Sequence, residues 1–168
     1  VGGAVLAHLL AGLSWPLAWV FGAIALATGP TVISPMVKQM RLQSGLARVL
    51  DAEGLILEPT AAVLALLLLQ RALGDLANWQ DVASLLVLRL GGGALLGALA
   101  GWLLVLVLER LPQEAEGLQL QVSLGVLFLV VAGTQTLLPE AGFPAAVMAG
   151  VVVGLRLDQQ ASRLDELI

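Results

Sequence analysis

Six apolar stretches, separated by short polar or Gly/Pro breaks, run the length of the chain. The first covers residues 1–13 and stops at Ser14-Trp15-Pro16. It falls short of the roughly 20 residues a membrane-crossing helix needs. Val1-Gly2-Gly3 carries no initiator Met, charged leader or cleavage site, so the chain reads as an internal fragment opening partway through a helix. The second stretch, 16–36, starts at a proline suited to a first turn and is interrupted by Thr28-Gly29-Pro30, with Pro35 following. The third, 46–73, is almost wholly Ala, Val and Leu after Thr60, yet holds Asp51, Glu53 and Glu58-Pro59. The fourth, 79–111, is too long for one perpendicular crossing, and Asp81 and Arg89 place its first part at the interface or against protein. The fifth, 118–138, has its polar residues near its ends, and the sixth, 142–156, contains Pro144 and Gly150. The predicted fold is an all-α, polytopic transmembrane helix bundle forming part of one domain over 1–168.

Composition supports that class. Hydrophobic residues make up 59% of the chain and charged residues 12%, half the share of an ordinary soluble domain. The net charge of −4 says little about partners, because these charges cannot form one surface. No basic run with interleaved aromatics occurs, which argues against nucleic acid. Cys is absent and His8 is the one histidine, so thiolate chemistry and multi-histidine metal centres are excluded. No nucleophile–base pair or phosphate loop is present, so an enzyme is not expected, nor any cofactor.

The charges assign the two sides. The connection 37–48 carries Lys38, Arg41 and Arg48, and Arg110, Arg156 and Arg163 fall on the same side of alternating spans. That side is the cytoplasmic one, with Arg71 the single dissenter. Trp15 and Trp79 then sit at the outer interface. Gly93, Gly97 and Gly101 repeat at i, i+4 and predict a close-packing face. His8 is read either as a proton relay or as a histidine hydrogen-bonded within the bundle. Arg89 is read either as part of an ion pair or as a snorkelling or bundle-facing arginine.

Candidate chemistry lies in the third stretch. A carboxylate and a proline together within a span cost several kcal/mol unless something uses them, which singles out Glu58. The rival reading pairs Glu58 with an Arg to fix helix packing. Glu53 is read as a structural acid and Asp51 as an interfacial one. The break at Thr28, Gly29 and Pro30 is either a discontinuous helix whose loose backbone faces an ion or an ordinary proline kink.

Taken together, Thr28-Gly29-Pro30-Thr31-Val32 and, after a basic loop, Glu53-Gly54-x-x-x-Glu58-Pro59 resemble the NhaP-type sodium/proton antiporters, and within them a cyanobacterial-like branch. The run Gly142-Phe143-Pro144-Ala145-Ala146-Val147-Met148-Ala149-Gly150 resembles a further helix of that family. The resemblance implies an inverted-repeat fold with a discontinuous helix. It also implies exchange of a monovalent cation, sodium or potassium, for protons across a bacterial inner membrane by a homodimer of the full-length protein. Glu58 takes the place of the family's ion-binding Asp, and Glu53 that of an upstream Glu that pairs with an Arg from a later helix. Thr28, Gly29 and Pro30 take the place of the unwound crossing. Glu58 stands where relatives have Asp, and Leu57 where they often carry Asn or Asp, which implies electroneutral exchange at a single carboxylate. A potassium-efflux-type antiporter and a non-transporting membrane scaffold subunit are the alternative readings.

Overall fold

In lipid no water is available to backbone N–H and C=O groups, so a spanning segment satisfies them internally, as a helix does. The computed structural model describes residues 1–26, 44–110 and 116–165. Every regular element among them is an α-helix. These are α1 (Gly2–Ala11), α2 (Trp15–Ile24), α3 (Ser44–Leu73), α4 (Trp79–Leu108), α5 (Glu116–Leu137) and α6 (Gly142–Asp165). Three stretches are long and apolar enough to cross a membrane: Ala52–Leu73, Trp79–Leu108 and Gln119–Leu137. Gly2–Ala11, Trp15–Ile24 and Gly142–Arg156 are shorter apolar helices. Thr28, Gly29, Pro30 and most of the basic connection 37–48 lie outside the described residues.

The chain forms two compact units, Val1–Val87 and Leu88–Ile168. In the first, α1 packs on α2 and α2 on α3. Small residues set both contacts. Ala4, Ala7 and Ala18 form one buried cluster, and a Cβ placed on Gly22 would lie 3.1 Å from the Ala4 backbone nitrogen. Val20 and Ala23 of α2 meet Ala65 and Leu68 of α3 in a second cluster. α3 ends in a Schellman turn. Gly74 adopts φ 94°, its N–H donates to Arg71 O at 3.1 Å, and Asp75 N–H donates to Gln70 O at 2.9 Å. A left-handed residue at this point occupies carbonyls that would otherwise be orphaned at the helix end.

In the second unit, the glycine stripe of α4 meets an alanine stripe on α6. Gly93 faces Ala141, Gly97 faces Ala145, and Gly101 faces Ala149. Both series advance by four, so the two helices run parallel with their backbones nearly touching. A Cβ added to Gly93 would lie 2.6 Å from the Ala141 carbonyl oxygen, and one on Gly101 2.7 Å from that of Ala149. Pro144, buried in the first turn of α6, costs no helix hydrogen bond there. The apolar run of α6 stops near Arg156, but the helix continues to Asp165. The residues 157–165 include neither Gly nor Pro, so the change to polar composition marks an exit from lipid and not the end of the helix.

Arg89 and Glu140 form an ion pair, with their side chains only 11% and 15% exposed. Glu140 lies in the turn between α5 and α6 at φ 69°, where its N–H donates to Gln135 Oε1 at 3.2 Å. Of the two readings of Arg89, the structure shows the ion pair. α4 is about 45 Å long at 1.5 Å per residue, half as long again as the hydrocarbon core. The part beyond the pair, Leu90–Leu108, measures about 28 Å on the same rise and matches that core.

Substitutions on α4, α5 and the α5–α6 turn test this packing. Gly97→Leu, which drives a side chain into Ala145, should lower the stability of the detergent-solubilised protein by at least about 1–3 kcal/mol. Gly125→Ala on α5, where a Cβ meets nothing within 4 Å, should leave it unchanged or slightly higher in the same thermal-unfolding assay. Arg89→Met should cost about 3–5 kcal/mol by taking the guanidinium from the largely buried Glu140 carboxylate, and Arg89→Met combined with Glu140→Met should recover most of that loss.

Candidate ion site

α3 carries both acids that the sequence singles out, and helix geometry separates them. Five residues apart, Glu53 and Glu58 are offset by about 7.5 Å along the axis and about 140° around it, so they share no face. Both side chains are exposed, while Gly54 and Pro59 beside them are buried. Within the span Ala52–Leu73, Glu58 lies about 9 Å from the Ala52 end and about 22 Å from the Leu73 end. It stands a third of the way along the span, not at its middle. The helix runs without interruption through the site, from Ser44 to Leu73.

Pro59 changes the local chemistry. Having no N–H, it leaves the Leu55 carbonyl without the donor an α-helix supplies four residues on. The next residue, Thr60, turns its hydroxyl back on the same turn and donates to Ile56 O at 2.7 Å. Leu55 and Glu58 are three residues apart, so the bare carbonyl and the carboxylate lie on one side of the helix. No hydrogen bond or ion pair engages Glu58 or Glu53 among the described residues. The turn therefore presents two oxygen acceptors at a position where the helix has no donors to spare.

The neighbouring helix packs on α3 about two turns from this one. Trp15 and Trp19 at the start of α2 lie by Leu68 and Arg71 of α3, and Val20 and Ala23 pack on Ala65 and Leu68. α2 thus runs antiparallel to α3, and its end points toward the Glu58 end. Gly54, Ala61 and Ala65 form a buried stripe on α3, and Glu58, four residues beyond Gly54, emerges at the edge of it. Thr28, Gly29 and Pro30, which follow α2 in the chain, lie outside the described residues.

Of the other residues weighed, His8 donates from Nδ1 to Leu13 O at 2.7 Å and stacks on Trp15 with ring centroids 4.1 Å apart. That is the arrangement of a histidine hydrogen-bonded within the bundle. Arg71 donates from Nη1 to Ala77 O at 2.7 Å and lies 4.3 Å over the Trp79 ring. Sequence reasoning missed this, although an arginine in the last turn before a tight connection was the signal for it. No group of three or more His, Cys, Asp or Glu suited to a resident metal occurs among the described residues.

No curated protein and no solved structure matches the chain. The family model described as sodium/hydrogen exchanger, transmembrane, matches residues 1–166, and over that length the chain belongs to the sodium/hydrogen exchanger family, transporters that exchange cations for protons.

Proposed function

We propose that Glu58 is the carboxylate at which a monovalent cation and a proton compete. The observation that carries this reading is the paired arrangement of Glu58 with the Leu55 carbonyl freed by Pro59. Alkali cations are hard and take oxygen ligands, and a carboxylate with a bare carbonyl on one helix face provides two. A proton on the carboxylate neutralises the charge the cation needs, so the two occupants exclude one another. Exchange then follows if the site opens alternately to each side of the membrane.

Sodium is the proposed cation, with potassium the variant that a longer Glu side chain in place of Asp would favour. With Leu57 beside it in place of a second acid, the site holds a single negative charge, and one proton exchanges for one cation without net charge movement. Thr28, Gly29 and Pro30 belong to this proposal as the crossing segment that supplies further backbone oxygens. The direction of α2 toward the Glu58 turn supports it. The basic connection 37–48 faces the cytoplasm in this reading, the membrane is a bacterial inner membrane, and the full-length protein works as a homodimer.

Glu58→Gln in the full-length protein should reduce cation-dependent proton flux in proteoliposomes to the level of protein-free vesicles. Glu58→Asp should keep exchange and change its cation dependence. Sodium- or potassium-driven proton flux persisting in the Gln variant would remove Glu58 from the site. Glu53 has a different role in this scheme, as an acid that holds helices in place. Glu53→Gln should lower the yield of folded protein several-fold while flux per folded molecule stays near that of the parent. The reverse pattern, normal yield with lost flux, would make Glu53 part of the ion path.

A further inference from the structure

At the Leu73 end of the span Ala52–Leu73, opposite the Glu58 end, the first unit has an open cavity of about 370 Å³. Its walls include Trp15, Trp19 and Trp79, with Leu68 as an apolar floor and Arg71 and Ala77 at the polar side. Trp15 and Trp79 are about half exposed, at 48% and 56%. Tryptophans gathered where two apolar spans end and begin mark the headgroup level of a bilayer.

The Arg71 guanidinium is only partly used. Its Nη1 donates to Leu76 O at 3.4 Å and to Ala77 O at 2.7 Å, and its face covers Trp79. A guanidinium has five N–H donors, and those on Nε and Nη2 have no partner among the described residues. No carboxylate there lies within ion-pair distance of it. The cavity therefore combines an uncompensated positive charge, spare donors in a planar fork and an apolar wall. Stacking of His8 on Trp15 holds one side of it in place, which lowers the ordering cost of binding.

We propose that this cavity binds the headgroup of an anionic phospholipid, with the phosphodiester on Arg71 and the first acyl carbons against Trp19 and Leu68. Arginine suits phosphate because its fork matches two oxygens at once. A free inorganic anion gains nothing from the apolar wall, whereas an acyl chain does. A zwitterionic lipid brings its own cation beside Arg71, so an anionic headgroup is the better complement. This site is independent of the ion site and stands whether or not Glu58 is the exchanging carboxylate.

The test is lipid retention by the delipidated full-length protein, measured by native mass spectrometry after addition of phosphatidylglycerol or phosphatidylcholine. Phosphatidylglycerol should be retained about fivefold better, the advantage one arginine confers near a membrane surface. Arg71→Gln should abolish the preference. Ala77→Asp, which leaves Arg71 in place and sets a carboxylate beside it, should abolish it too and decides the matter if the glutamine variant does not fold. Equal retention of the two lipids, an unchanged preference in Ala77→Asp, or equal competition by glycerol phosphate without acyl chains would each overturn the proposal.

Discussion

A backbone carbonyl without a donor is expensive in lipid, and so is a carboxylate. The described helices obey that constraint along nearly their whole length, and α3 departs from it at one turn. There Pro59 withholds a donor from Leu55, Thr60 bonds Ile56 a second time, and Glu58 projects a carboxylate on the same side. Each departure by itself is unfavourable. In the proposed site a cation or a proton replaces what the helix lacks, so the cost of the turn and its proposed use have one origin.

Small residues hold the described helices together within each unit. Lipid tails are as apolar as leucine, so burial alone does not hold helices together in a bilayer, and close contact between small residues does much of the work. Gly22 against Ala4, and Gly93, Gly97 and Gly101 against Ala141, Ala145 and Ala149, are such contacts. At Gly93, Gly97 and Gly101 the space a Cβ would take is filled by the carbonyl oxygens of Ala141, Ala145 and Ala149. The contact of α2 with α3 does more than add stability. It fixes the direction of α2 against α3.

Charges away from the site have been dealt with in different ways. Arg89 is matched by Glu140 from a turn far along the chain, so neither is left alone at the edge of the hydrocarbon. Arg71 is matched by carbonyls and an indole face, which relieve its desolvation without cancelling its charge. The difference follows from what each turn offers. The α5–α6 turn presents an acid in a left-handed conformation, and the α3–α4 turn presents backbone oxygens beyond Gly74.

How much of this the sequence carried depends on the range of the interaction. Apolar runs and their breaks are local, and lipid enforces them strongly, so the helical architecture, the misplaced acid at Glu58 and the glycine spacing on α4 were all legible from residue order. Family membership rests on the same local pattern. The pairing of Arg89 with Glu140 joins residues 51 positions apart, and nothing in either neighbourhood names the other. Which side of α3 carries Glu58, which stripe answers Gly93, Gly97 and Gly101, and what surrounds Arg71 were likewise decided by packing. The length of α6 past Arg156 escaped the reading because polarity reports where lipid ends, whereas helix propensity decides where a helix ends. Residue order determined the membrane helices and the acid they carry. The tertiary structure decided the partners, because a partner is a matter of which faces meet, and that depends on every helix at once.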